Sequence, residues 1–95
     1  MSTFQVEIVT PDTRVYEGPI TALTAPGSDG RFQILQNHAP LISTLGKGEL
    51  RLDLEGGEST SYEVEGGVVE VMNNKAIVLL ERILSGDIQE TEDEE

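Results

Sequence analysis

Apolar and polar residues alternate along three stretches of this chain, at residues 4–8, 49–54 and 61–65. Each stretch places an apolar side chain at every second position, with a polar or charged residue between. A period of two predicts a strand with one face on a core and the other in water. Three further stretches carry apolar residues on both faces, which favours strands covered on both sides. They are residues 20–25, 68–72 and 76–80.

Turn residues interrupt these runs at short intervals. Clusters of Gly, Pro, Asn and Asp occupy residues 10–12, 17–19, 26–30, 46–48, 55–57 and 73–74. Each cluster predicts a turn, and Asn73-Asn74 suits a tight hairpin because asparagine tolerates positive φ. No stretch before residue 79 shows the period of an amphipathic helix. We therefore predict an all-β fold, an antiparallel, flattened two-sheet β-sandwich or barrel of about nine or ten strands.

Length and charge set the domain organisation and the class of partner. The 95 residues are expected to form one domain over residues 1–86. Residues 87–95 carry six acids and no base, so we expect an acidic, disordered tail. The net charge is −12, and removal of those six acids still leaves −6. This argues against nucleic acid and bare anionic membranes as partners, and it favours a partner with basic loops.

The chain offers little chemistry for catalysis. It has no cysteine and a single histidine, His38, beside which the sequence places no nucleophile or orienting acid. We therefore predict no catalytic residue, no metal site and no cofactor site. His38 precedes Ala39-Pro40, and it either bonds the backbone of a corner or contacts a partner. The first residues resemble no signal peptide, and no apolar run reaches the ~18–20 residues of a bilayer span, so we expect no direct membrane insertion.

A glycine pair and four apolar residues in the last part of the predicted sheet each have two alternative interpretations. Gly66-Gly67 indicates a turn or bulge that needs positive φ, or else a close approach of another chain. Four apolar residues around it either belong to the core or form a docking patch on the outer face. They are Val68, Met72, Ile77 and Leu79.

Seven blocks together resemble the epsilon subunit of the F-type ATP synthase, which is called delta in mitochondria. They are residues 6–11 (VEIVTP), 15–18 (VYEG), 30–35 (GRFQIL), 37–41 (NHAPL), 45–48 (LGKG), 66–71 (GGVVEV) and 77–79 (IVL). Each block alone is a weak signal, but they follow the family's order and spacing over residues 4–84.

The resemblance implies a non-catalytic subunit of the rotary central stalk. Such a subunit links the gamma subunit to the polar loops of the membrane c-ring and couples proton translocation to ATP synthesis. It would lie peripherally on the cytoplasmic face of the bacterial inner membrane, through the complex. The resemblance assigns the ring contact to Ser28, Asp29, Gly30, Arg31 and Phe32. It assigns the gamma or stalk contact to His38, Ala39 and Pro40.

The chain departs from the family in four places. Gln33 stands where the family often has glycine. Arg31 stands where the family often has an acid, and Asp29 is expected to supply that charge instead. Gln36-Asn37 replace Pro-Gly, and Asn37 is expected to keep the left-handed backbone. Many relatives add a C-terminal helical hairpin that inhibits ATP hydrolysis and in some binds ATP, which needs about 40 residues. Only residues 85–95 follow the last apolar run. We therefore expect a short form, natural or truncated, that does not bind ATP.

Two other function classes compete with this interpretation. A free-standing β-sandwich that binds a sugar would need exposed aromatic side chains, and the chain has only Phe4, Tyr16, Phe32 and Tyr62. At least two of these lie in alternating stretches and are expected in the core. A small hydrolase would depend on His38, and we expect no turnover.

Overall fold

Seven strands form the fold in the computed structural model, which describes residues 2–86 and contains no helix in that range. They are β1 (Phe4–Val9), β2 (Arg14–Ile20), β3 (Ala22–Gly27), β4 (Gly30–Ile34), β5 (Leu41–Asp53), β6 (Ser59–Met72) and β7 (Lys75–Gly86). The prediction of an all-β fold is confirmed. The predicted acidic tail, residues 87–95, lies outside the described residues.

Backbone hydrogen bonds join all seven strands into one open sheet of order β2-β1-β7-β6-β5-β3-β4. Every neighbouring pair is antiparallel except β1 and β7, which run parallel. The prediction of antiparallel pairing throughout is therefore wrong at this pair. The hydrogen bonding also does not confirm two separate sheets. The parallel pair joins the first and last strands of the chain, and no local sequence pattern sets the direction of such a distant pairing.

The strand count is seven rather than nine or ten because three strands are long. β5, β6 and β7 contain 13, 14 and 12 residues. The predicted turns at residues 46–48 and 17–19 are wrong, since these residues lie inside β5 and β2. Residues 66–67 likewise lie inside β6. By contrast, Asn73 and Asn74 form the predicted tight turn between β6 and β7, with φ of 54° and 61°.

In β5 and β6 the set of side chains that faces the core changes at internal glycines, at residues 46–48 in β5 and 66–67 in β6, and we call each of these changes a bend. In β6, Tyr62 and Val64 are buried before Gly66-Gly67, and Val69 and Val71 are buried after it. The buried positions thus change from even to odd numbers, so the strand turns its other face to the same core. Gly67 lets β7 approach β6 closely at the bend, because a side chain would not fit there: a Cβ would collide with the carbonyl oxygen of Leu79 in β7. The close approach at this pair therefore comes from a strand of the same chain.

The buried apolar side chains of residues 2–86 form one hydrophobic core. Its members come from all seven strands and include Leu50 and Leu52, which are fully buried as their alternation predicts. Phe4 and Tyr62 also belong to this core.

Candidate functional site

Five large apolar side chains point away from the core on one outward surface, which we call the outer apolar face. They are Ile42 of β5, Val68 and Met72 of β6, and Ile77 and Leu79 of β7. Ile42, Met72 and Leu79 are 71%, 48% and 51% exposed, and the other two are half-buried. The strand register holds them together, because Val68 pairs with Leu79, and Ile42 and Ile77 flank the same β6 residue. Four of the five are the residues for which the sequence left core and docking patch open.

The opposite outward surface differs in character. Beyond the glycine bends, β5, β6 and β7 place charged residues side by side, with Lys47 paired to Glu65 and Glu65 to Arg82. Arg51 and Glu49 also lie exposed on β5. A small domain seldom exposes a contiguous apolar patch without a binding role. The asymmetry therefore marks the outer apolar face as the candidate docking surface.

The predicted stalk corner borders this face. Ala39 and Pro40 are exposed and His38 is half-buried, in the loop between β4 and β5. Pro40 lines a shallow depression together with Ile42 and Met72 of the outer apolar face. Pro40 of the corner thus extends the outer apolar face by one further side chain.

Asn74 fixes the corner to the rest of the fold. Its side-chain oxygen accepts a 2.7 Å hydrogen bond from the backbone N–H of Asn37, and its amide nitrogen donates to the carbonyl of Thr3 at 3.4 Å. Asn37 has a φ of 63°, so the left-handed backbone expected from the sequence is confirmed. One side chain of the β6–β7 turn therefore holds both the corner and the segment that leads into β1.

The predicted ring contact forms the tip of the β3–β4 hairpin. Ser28, Asp29, Gly30 and Arg31 are exposed, whereas Phe32 is half-buried and packs against the core. The tip is tied to β5: the backbone N–H of Ser28 donates to the carbonyl of Thr44 at 3.0 Å. The Thr44 hydroxyl also donates to the hydroxyl of Ser28 at 2.9 Å.

Arg31 does not point freely from that tip. Its Nη1 donates to the backbone carbonyl of Glu49 at 3.1 Å, and its Nη2 lies 3.8 Å from the carboxylate of the same residue. Asp29 has no ion pair among residues 2–86. The acid, rather than the base, is therefore the uncompensated charge at the tip.

The first half of β5 connects the two predicted contacts. The corner precedes Leu41, the first residue of β5, and the hairpin tip bonds Thr44. Pro40 and Thr44 are four residues apart, which corresponds to roughly 13 Å along a strand. Both contacts therefore lie on the border of the outer apolar face.

The single histidine, His38, bonds the backbone of its own corner. The ring of His38 has one hydrogen bond within residues 2–86, in which Nδ1 donates to the carbonyl of Ala39 at 2.8 Å. This confirms the backbone role for His38, and a partner contact stays a prediction. No group of three or more His, Asp or Glu side chains in that range is placed to hold a metal ion. Phe4 and Tyr62 are buried, and the half-buried Tyr16 and Phe32 pack against the core, so these four side chains do not form the exposed aromatic platform of a sugar-binding module.

Comparisons with known proteins identify the family of this chain. The sequence model of a family described as "ATP synthase, Delta/Epsilon chain, beta-sandwich domain" matches residues 3–86. The chain belongs to this family. The epsilon chain of Chlorobium limicola is 45% identical over 80 residues, which cover 84% of this chain and 91% of that relative. The epsilon chain of Dichelobacter nodosus is 44% identical over 80 residues, which cover 83% of this chain and 56% of that relative.

A solved structure of similar fold confirms the architecture. A chain in the Euglena gracilis mitochondrial ATP synthase, in a structure of OSCP, F1 and c-ring, aligns with a TM-score of 0.83 at 20% identity. The alignment covers 98% of this chain and 57% of that chain. Membership of the epsilon family confirms the expected function, a non-catalytic subunit of the ATP synthase. Residues 2–86 contain no helix with the length and apolar character needed to cross a membrane.

Sequence analysis missed Ile42 of the outer apolar face and also Glu70, which lies among the side chains of that face. Ile42 follows another apolar residue, Leu41, so the local pattern does not show which of them points outward. Glu70 lies inside a stretch predicted as apolar on both faces, and its position among the apolar side chains appears only in the paired strands.

Proposed function

We propose that this family member is a rotor subunit that docks on the gamma subunit of its ATP synthase through the outer apolar face. The corner at His38, Ala39 and Pro40 extends that contact, and the hairpin tip at residues 28–32 meets the polar loops of the c-ring. Proton translocation drives the rotation of the c-ring, and the subunit thereby helps to transmit this rotation to the catalytic subunits. It lies peripherally on the cytoplasmic face of the bacterial inner membrane, through the complex. In this role the bent sheet acts as the two layers of a flattened sandwich.

The observation that carries this proposal is the outer apolar face itself. Its most exposed side chain, Ile42, is 71% exposed in a chain with a net charge of −12. Each buried apolar side chain contributes about 1.5–3 kcal/mol when it leaves water, so a partner that covers this face gains substantial free energy. The charged opposite surface offers no comparable gain.

The hairpin tip supports the ring contact by its charge. With Arg31 held by Glu49, Asp29 presents a negative charge that would attract basic groups on the ring loops. Because the tip is hydrogen-bonded to β5 at Thr44, a force applied there is passed to the strand that also carries Ile42.

Leu79→Ser, with Leu84→Ser as the matched control, tests the docking face. Both leucines lie on β7 and are 51% and 43% exposed, and they are five residues, or roughly 16 Å, apart along the strand. Leu84 is not part of the outer apolar face, to which β7 contributes Ile77 and Leu79. The gamma subunit of the same ATP synthase would be titrated with each variant, with size-exclusion chromatography and native mass measurement of the complex.

We expect a one-to-one complex with the unaltered chain, an affinity about tenfold lower for Leu79→Ser, and a change below about twofold for Leu84→Ser. Two separate species at micromolar concentration of the unaltered chain would contradict the proposal. Equal losses for the two variants would show that gamma does not dock on the outer apolar face.

A further inference from the structure

Glu70 is the one carboxylate inside the outer apolar face, as the described residues define it. In β6 it lies between Val68 and Met72, which point the same way because side chains two apart share a face. Across the sheet it pairs with Ile42 on β5 and with Ile77 on β7. All four of its neighbours on this surface are therefore apolar.

The nearest comparable acid, Glu7, is neutralised within the chain. Glu7 pairs with Ile77 from the other side, in the same row of the sheet. Its carboxylate lies 3.2 Å from Arg14 and 3.8 Å from Lys75. Glu70 has no ion pair through its side chain among residues 2–86. Lys75 lines the same shallow depression as Glu70, but its ion pair among residues 2–86 is with Glu7. Glu70 is therefore exposed and has no ion-pair partner in that range.

A partner that covers the apolar side chains also removes water from Glu70. An unpaired carboxylate in a dry contact is strongly unfavourable, whereas a paired, hydrogen-bonded one is tolerated. A carboxylate flanked by apolar groups therefore admits a surface with a matching cation and rejects an entirely apolar surface of the same shape.

We propose that Glu70 is a specificity-determining residue, which pairs with an arginine or lysine set among apolar side chains on the docking surface of the gamma subunit. This inference rests on the proposed function. The guanidinium of arginine would fit best, since it can bond both carboxylate oxygens at once.

Glu70→Leu tests this inference, because the two alternatives predict opposite changes in the affinity for the gamma subunit. If Glu70 meets a cation, leucine leaves that cation buried and unpaired, and the affinity for gamma should fall about 30-fold or more. If Glu70 only lies at the surface, leucine completes the apolar face and should leave the affinity unchanged or raise it. Glu70→Gln should also weaken binding, because the amide keeps the shape and loses the charge. Glu58→Gln removes an exposed acid in the β5–β6 turn and serves as the charge control.

Affinity for the gamma subunit would be measured by calorimetry, with thermal melts to show that each variant folds. The inference is overturned if Glu70→Leu binds as tightly as the unaltered chain, or if Glu58→Gln weakens binding as much as Glu70→Gln. Leu79→Ser distinguishes the proposed docking of gamma on the outer apolar face from the proposed pairing of Glu70 with a cation. If Leu79→Ser weakens binding and Glu70→Leu does not, gamma docks on this face without a cation at Glu70. If the unaltered chain does not bind gamma, the proposed function fails, and this inference fails with it.

Discussion

Gly67→Ala tests whether the bend in β6 depends on the close approach of β7. Gly67 has a φ of +151°, and an added Cβ would collide with the carbonyl oxygen of Leu79. That oxygen belongs to the backbone of a paired strand, so it cannot move aside as the end of a flexible side chain does. We expect alanine to force β6 and β7 apart where the outer apolar face begins.

Gly57→Ala supplies the matched control from which the size of the effect follows. Gly57 has a φ of +90°, and no atom lies within 4 Å of the position that a Cβ would take there. Strain at positive φ costs about 1–3 kcal/mol at either site. Overpacking against a fixed backbone adds about 1–3 kcal/mol at Gly67 alone. Both substitutions restrict the unfolded chain alike, so their difference isolates the collision.

Urea unfolding and thermal melts of the two variants would measure this difference. We expect losses of about 2–6 kcal/mol for Gly67→Ala and about 1–3 kcal/mol for Gly57→Ala. Each further kcal/mol should separate the two melting temperatures by about 4–8 °C in a domain of this size. Equal losses would refute the idea that the approach of β7 restricts this position to glycine.

Two further substitutions test the core and the corner. Leu52→Asp should abolish cooperative thermal unfolding, because it places a carboxylate at a fully buried position. The control Leu35→Asp changes a leucine that is 51% exposed and should retain a cooperative melt. A normal melt for Leu52→Asp would mean that Leu52 does not face the core. Asn74→Gly keeps the left-handed turn but removes the acceptor for the Asn37 N–H, so we expect about 0.5–1.5 kcal/mol less stability and faster hydrogen exchange at Asn37. Asn73→Gly is the control for the turn, and equal exchange at Asn37 in both variants would contradict a holding role for the Asn74 side chain.

The sequence predicts the parts of the fold that depend on local pattern. Alternation places Leu50 and Leu52 in the core, and the asparagine pair at residues 73–74 sets a tight turn. The strand count was wrong because a glycine cluster has the same composition in a turn as in a bend within a strand. Only the paired residues on both sides of residues 46–48 and 66–67 show that β5 and β6 continue.

The outer apolar face is harder to predict from the sequence than the core, for a related reason. Which side chains point outward in β6 depends on the change of buried positions at Gly66-Gly67. Without that change, Val68 and Met72 would face the core together with Tyr62 and Val64. The sequence therefore left core and docking patch open, and nothing in its local pattern singles out Glu70. The asymmetry between the two outward surfaces appears only once the bends are known.

The bends also explain how one short chain supplies both a buried core and an exposed apolar surface. Because β5 and β6 turn their other face inward at the glycines, the outward side chains are mainly charged in one half of these strands and mainly apolar in the other. The remaining candidate contacts are tied to the same half of the sheet: the corner through Asn37 and Asn74, and the hairpin tip through Ser28 and Thr44. Hydrogen bonds to Asn74 and Thr44 therefore fix the corner and the tip relative to the sheet, which suits the proposed role, in which these contacts turn together.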